Sequence, residues 1–169
     1  MKEALNDSLQ QELVQMAAAD QDMRNRAMET GLWDESIDRT NTERLRAIVA
    51  TYGWPTSSKV GAEGARAAWL IAQHADHDVD FQSECLDRMK QEPTGEVSLS
   101  NLAYLEDRVR VNRGQEQLYG TQFYGTGETL KPQPIADEAH LDERRASVGL
   151  GPFSDYAREI EEIDKNMKR

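Results

Sequence analysis

The chain has 169 residues, of which 38% are hydrophobic and 30% are charged, with a formal net charge of −11 at pH 7. This length suits one domain with one core, and the three Trp, five Tyr and three Phe exclude a wholly disordered chain. The negative charge disfavours nucleic acid and anionic membranes as partners, because their phosphate groups would be repelled.

Hydrophobic periodicity predicts a mostly α protein, a single-domain helical bundle (residues 1–169) of about seven helices. Residues 117–135 are rich in glycine and aromatic side chains and suit a small β hairpin or an irregular segment. The predicted helices cover residues 7–29, about 41–52, about 62–75, about 81–91, 99–112, 136–148 and 153–168.

The cysteine content and the apolar runs of the sequence limit its possible disulfide bonds and its expected cellular location. Cys85 is the only cysteine, which excludes an intrachain disulfide and a cysteine-based zinc site. The first residues contain no apolar run of the kind found in secretory signals, and the longest apolar stretch, residues 67–72, is too short to cross a bilayer. We therefore expect a cytoplasmic protein.

Two charged residues continue the apolar stripe of the first predicted helix. At about 100° per residue, Asp20 and Arg24 lie near the direction of Leu13 and one turn apart, where an acid and a base can meet. One interpretation is a structural ion pair that fixes the helix against its neighbours. The other is a site in which Arg24 grips an anionic group that Asp20 orients.

The third predicted helix is apolar nearly all round, which indicates a central position, and it ends at Gln73-His74-Ala75-Asp76-His77. His74 can act as a general acid or base near neutral pH, with Asp76 or Asp78 nearby to orient it or raise its pKa. A histidine cap that interacts with the helix dipole is the structural alternative. His74 and His77 are also spaced to share a metal ion, but no zinc signature of the HExxH kind is present.

Polar residues also interrupt the apolar pattern later in the chain. Asp107-Arg108 lies on a helix with two apolar-containing faces, which makes Arg108 a candidate for a partly buried cation. The structural alternative is a salt bridge from Arg108 to Asp20 or Asp76. The segment Tyr119-Gly120-Thr121-Gln122 combines a phenol, a hydroxyl, a carboxamide and a flexible backbone, as loops that line pockets often do. Neither a nucleotide-binding glycine motif nor a GxSxG elbow is present.

Five short motifs in order resemble an uncharacterised bacterial family that is known only as a domain of unknown function. The resemblance covers roughly residues 10–157 and implies a bacterial source, but it supplies no catalytic residues. The motifs are Asp20-Gln21-x-x-Arg24, Gly53-Trp54-Pro55-Thr56, Gln73-His74-Ala75-Asp76, Asp107-Arg108 and Tyr119-Gly120-Thr121-Gln122.

The leading hypothesis is a cofactor-independent acid–base enzyme, or an enzyme-like binder, that acts on a small polar molecule or peptide by hydrolysis, elimination or cyclisation. Its predicted catalytic residues are His74, Asp76, Asp20 and Arg24. Its predicted substrate contacts are Arg108, Asp107, Tyr119, Gln122, Gln73, Gln21 and Trp54.

Two other classes of function stay open. The first is a non-catalytic protein-interaction module, such as an immunity-type protein, whose polar core residues only lock the helices together. The second is a metal-dependent hydrolase that uses His74 and His77.

Overall fold

The computed structural model describes residues 5–167, which form two compact units, one ending at Asn101 and the other beginning at Leu102. Within these residues there are seven α-helices and one two-stranded antiparallel sheet, so the mostly α prediction is confirmed. The single domain over residues 1–169 stays a prediction. Each helix between residues 5 and 167 is too short or too polar to cross a membrane.

The first unit is built around its third helix. It contains α1 (Asp7–Thr30), α2 (Glu35–Tyr52), α3 (Ser57–Gln73), α4 (Val79–Gln91) and the beginning of α5 (Leu99–Asn112). Helix α3 contacts α1, α2 and α4, as expected of a helix that is apolar nearly all round. The core of this unit includes the buried side chains Leu13, Leu45, Ile48, Trp54, Ile71 and Phe81.

Helix α2 begins at Glu35, earlier than the start near Asn41 that the sequence predicts. Asp34 is the N-cap, and its carboxylate accepts a hydrogen bond from the backbone N–H of Ser36 at 3.0 Å. Asn41 and Thr42, which resemble a helix start, are instead buried inside the helix. The Asn41 side chain donates to the carbonyl of Met16 at 3.1 Å and so ties α2 to α1.

Helices α3 and α4 also begin earlier than predicted. Helix α3 starts at Ser57 rather than Ala62 and is interrupted at Gly61, whose φ of 69° is left-handed. Helix α4 starts at Val79 because the carboxylate of Asp78 accepts from the backbone N–H of Phe81 at 3.0 Å.

The second unit contains the remainder of α5, strands β1 (Phe123–Tyr124) and β2 (Lys131–Pro132), and helices α6 (Leu141–Ser147) and α7 (Phe153–Met167). The strands pair antiparallel, within the segment predicted to form a hairpin. A 3₁₀ turn at Glu138–His140 precedes α6 and replaces the first part of the helix predicted for 136–148.

Aromatic rings join α5, the hairpin and α7 within the second unit. Phe123 stacks with Phe153 at a centroid distance of 6.1 Å, and Tyr156 makes edge contacts with Phe123 at 5.9 Å and with Tyr104 at 6.1 Å. The hydroxyl of Tyr156 donates to the carbonyl of Thr121 at 2.9 Å, and burial raises the pKa of Tyr156. The start of α7 therefore fixes the loop that carries Thr121.

We expect Gly120→Ala to destabilise the protein by about 3 kcal/mol, because it combines a left-handed backbone with overpacking. Gly120 has a φ of 67°, and a Cβ added there would lie 2.9 Å from ring carbons of Phe153. Gly114→Ala is the matched control, since its φ is 70° but nothing lies within 4 Å of the added Cβ. It should cost only about 1 kcal/mol. Urea unfolding followed by circular dichroism measures both, and equal costs would contradict the packing argument.

Candidate functional site

An ion pair on α1 occupies a buried position. Arg24 donates from Nε and Nη2 to the carboxylate of Asp20, with nitrogen–oxygen distances of 3.2–3.3 Å. The Asp20 side chain is 1% exposed and the Arg24 side chain 21%. Because a buried carboxylate has lost its water, it requires charged or hydrogen-bonding partners, and Arg24 supplies the first of them.

His74, directly after the last turn of α3, brings its ring to the same carboxylate. Its Nδ1 lies 2.9 and 3.0 Å from the two oxygens of Asp20 and 3.1 Å from Nε of Arg24. A carboxylate only accepts hydrogen bonds, so we assign the proton to Nδ1, which then cannot accept from Arg24. In the neutral ring the lone pair therefore lies on Nε2.

The Nε2 side of His74 is the side that a ligand can use. Among residues 5–167 no group hydrogen bonds to Nε2, and the side chain is 17% exposed. A ring that is oriented by a buried carboxylate at Nδ1 and open at Nε2 has the geometry of an acid–base histidine.

Two residues that the sequence analysis did not select complete the cluster. Asp38, near the start of α2, accepts from Nη2 of Arg24 at 2.8 Å, and its side chain is 11% exposed. Trp33 lies in the connector between α1 and α2 (residues 31–34), and its ring centroid is 4.8 Å from Cζ of Arg24. Carboxylates thus hold the edges of the guanidinium and an indole covers one face. We call Asp20, Arg24, Trp33, Asp38 and His74 the Asp20 cluster.

The two carboxyl groups of the Asp20 cluster have pKa values that are shifted in opposite directions. Burial would by itself raise the pKa of Asp20, but the hydrogen bond and charge of His74, with hydrogen bonds from Arg24 and Gln21, lower it to about 2. Burial raises the pKa of Asp38, against the charge of Arg24 and with the charge of Asp20. Neighbouring carboxyl groups with opposed pKa shifts are typical of acid–base sites.

Of the other residues predicted for the site, Gln21 contacts the Asp20 cluster, whereas Trp54 lies outside it in the core of the first unit. Gln21 Nε2 donates to Oδ2 of Asp20 at 2.7 Å. Trp54 is 2% exposed, and its carbonyl accepts from Nζ of Lys59 at 3.2 Å. The structure therefore places Trp54 in the core of the first unit, where a ligand would reach its ring only if the core opened.

The end of α3 is fastened by a side chain from α4. Gln82 Nε2 lies 3.1 Å from the carbonyl oxygens of Ala72 and Gln73, and 3.3 Å from a carboxylate oxygen of Asp76. Asp76 is exposed. The sequence analysis predicts that Asp76 tunes His74. In the structure, the carboxylate that contacts Nδ1 of His74 is that of Asp20, which is more distant in the sequence.

The metal-dependent alternative rests on His74 and His77. In the part of the chain that the structure describes, no three His, Cys, Asp or Glu side chains are placed to share a metal ion. Cys85 is fully buried, and burial raises the pKa of its thiol to about 12, as expected for a core cysteine.

In the second unit, the carboxylate of Asp107 closes a loop. It is fully buried and accepts hydrogen bonds from the backbone N–H groups of Leu118, Tyr119 and Thr121 at 2.7–3.0 Å, and from the Thr121 hydroxyl at 2.9 Å. Burial raises the pKa of Asp107, and these hydrogen bonds oppose the shift. Both oxygens are engaged, so we assign Asp107 to loop structure rather than to substrate contact.

Arg108, Gln122 and Tyr119 also form hydrogen bonds within the second unit. Arg108 Nη1 donates to Oε1 of Gln122 at 2.9 Å, and Gln122 Nε2 donates to the Thr121 hydroxyl at 3.0 Å. The carbonyl of Tyr119 accepts from Arg145 at 2.6 Å. The predicted site residues thus fall into two groups, one in each unit.

The chain resembles a known protein family over nearly its whole length. A model described as "Family of unknown function (DUF6624)" matches residues 7–166. The chain belongs to this family. The resemblance indicated by the sequence motifs is therefore confirmed at the level of the family. No curated protein and no solved structure matches this DUF6624 chain.

Acid should weaken this DUF6624 protein through Asp20. The folded pKa, about 2, lies below the ordinary value of 3.8, so the ionised carboxylate stabilises the fold above about pH 4. This contribution, about 2 kcal/mol, is lost progressively as the pH falls to about 2. Asp20→Asn should lack that part of the pH dependence, whereas Asp22→Asn, an exposed residue of the same helix, should keep it. Urea unfolding at a series of pH values tests this, and parallel curves for wild type and Asp20→Asn would refute it.

Asp107→Ala should reduce the free energy of unfolding by about 3–5 kcal/mol, because several buried N–H donors would lose their acceptor. Glu161→Ala, which removes an exposed carboxylate from α7 in the same unit, should change it by less than about 0.5 kcal/mol. Chemical denaturation measures both, and similar values would show that the loop does not depend on Asp107.

Proposed function

We propose that the Asp20 cluster is a cofactor-independent acid–base site, and that this protein is an enzyme, or an enzyme-like binder, for a small polar molecule or peptide. The observation that carries the proposal is the contact of His74 Nδ1 with the buried carboxylate of Asp20 while Nε2 has no partner among residues 5–167. A lone surface histidine would have neither the fixed tautomer nor the fixed orientation.

In the proposed mechanism, Nε2 of His74 takes a proton from the substrate or from water and returns it to a leaving group. The imidazolium that forms is stabilised by the negative charge of Asp20, whose low pKa keeps it ionised at neutral pH. The Nη1 amino group of Arg24 donates to the oxygen on which negative charge develops. Hydrolysis, elimination and cyclisation all share these steps.

The proposal needs only residues of the first unit. The sequence hypothesis also used Arg108, Tyr119 and Gln122 as substrate contacts, and these stay predictions. The net charge of −11 supports the further expectation that neither nucleic acid nor an anionic membrane is a partner. A cytoplasmic location stays a prediction.

A non-catalytic interaction module is the second candidate. Large apolar side chains are exposed near the end of α1 and in the connector that follows it: Met28 is 62% exposed, Leu32 77% and Trp33 52%. Grouped apolar side chains of this kind mark contact surfaces. In that case the Asp20 cluster would serve only to hold α1, α2 and α3 together.

His74→Asn separates the two candidates. We expect it to lower hydrolysis of p-nitrophenyl acetate by about 10²–10⁴-fold through loss of the base, with little change in melting temperature, because asparagine can still donate to Asp20. His140→Asn is the matched control, since the Nδ1 of His140 also contacts a carboxylate, that of Asp137, but both side chains are about 60% exposed. It should leave the rate unchanged.

Turnover by His74→Asn equal to wild type would refute the acid–base proposal. A large fall in its melting temperature would favour the structural role instead. Rates that survive EDTA and His77→Asn would argue against the metal-dependent alternative, whereas loss of activity in both would support it.

A further inference from the structure

The bonds already made by Arg24 determine what kind of group it can still bind. Nε and Nη2 are engaged by Asp20 and Asp38, and the guanidinium lies against Trp33. Within residues 5–167 no hydrogen bond involves Nη1. Arg24 therefore offers a ligand the Nη1 amino group. Its two N–H bonds diverge, so each donates to a separate acceptor, and one of them suits a single carbonyl oxygen.

Charge argues against a phosphate at this position. The positive charge of Arg24 is already matched by Asp20, and Asp38 adds a second carboxyl group 2.8 Å from the same guanidinium. The surroundings of Nη1 are therefore not net positive, and a dianion would meet two carboxyl groups as well as one arginine. A neutral carbonyl oxygen accepts a hydrogen bond from Nη1 without that repulsion.

Trp33 supplies an apolar surface beside the same donors. It is 52% exposed, whereas Trp54 is 2% exposed, so a large part of its indole is available for contact. The connector is held at both ends, by the left-handed Gly31 that caps α1 and by Asp34 that caps α2. A preorganised indole next to a polar group is the arrangement that binds flat apolar groups.

We propose that the ligand of the Asp20 cluster is a neutral acyl compound, an amide or ester, with an aromatic group beside its carbonyl, and that Trp33 receives this group. The proposal rests on the acid–base function proposed above and names its substrate class. The carbonyl oxygen binds at Nη1 of Arg24, the ring packs on Trp33, and the acyl group lies within reach of Nε2 of His74.

Nuclear magnetic resonance titrations test this assignment with three probes: N-acetyl-L-phenylalaninamide, N-acetylglycinamide and inorganic phosphate. The phenylalanine amide should bind about tenfold more tightly than the glycine amide, since it alone can stack. It should shift the indole N–H signal of Trp33 and the ring signals of His74. Phosphate should bind more weakly than either amide.

Trp33→Ala should remove the tenfold preference, because the variant has no indole on which the phenylalanine ring can stack. Tyr52→Ala is the matched control, because Tyr52 is an aromatic residue of the same unit with nearly equal exposure, 51%. It should keep the preference. Retention of the preference in Trp33→Ala, tighter binding of phosphate, or shifts confined to other residues would overturn the assignment.

His74→Asn distinguishes failure of this assignment from failure of the acid–base proposal. If His74→Asn keeps the binding preference and turnover by wild type does not depend on His74, the assignment of the ligand is supported and the acid–base proposal is refuted. If turnover depends on His74 but Trp33→Ala binds both amides as wild type does, the acid–base proposal is supported and the assignment of the ligand is overturned.

Discussion

The structure of the first unit depends on one buried carboxylate. Asp20 is 1% exposed, and in that position an ionised group is tolerated only if its partners replace the water it has lost. Those partners come from different parts of the chain: Arg24 and Gln21 from α1 itself and His74 from the end of α3. The need to satisfy Asp20 therefore brings a titratable ring to a fixed place. The same need bears on the proposed acid–base function, because the imidazole contacts Asp20 through Nδ1 and its Nε2 has no hydrogen-bond partner among residues 5–167.

Helical geometry was sufficient to predict part of the cluster. The angular positions of Asp20 and Arg24 follow from 100° per residue, and His74 was selected because it follows the most apolar helix. The partner of His74 was not predictable in this way, since nearness in sequence favours Asp76 whereas the fold brings in Asp20. A residue 54 positions away becomes a neighbour only through the packing of α1 against α3.

Asp38 and Trp33 were missed for a local reason. Asn41 and Thr42 are residue types that favour helix starts, so the sequence placed the beginning of α2 after Asp38 and treated residues 31–40 as a loop. The actual cap is Asp34, and the additional helical residues before Asn41 include Asp38, which contacts Arg24.

In the loop around Tyr119, by contrast, the sequence predicted site residues that have a structural role in the fold. The polar residues of this loop suggested ligand contacts. A sequence does not show which backbone N–H groups need an acceptor, and in the structure Asp107 accepts from those of Tyr119 and Thr121.

The amide of Gln82 connects α4 to the end of α3, where His74 of the proposed acid–base site lies. Its single nitrogen serves the terminal carbonyl groups of α3 at Ala72 and Gln73 and the side chain of Asp76, on both sides of His74 in the chain. The position of His74 therefore depends in part on a residue that lies outside the Asp20 cluster. Under the acid–base proposal, a substitution at Gln82 during evolution, or a molecule that moves α4, would change the orientation of the His74 ring while every residue of the Asp20 cluster stays the same.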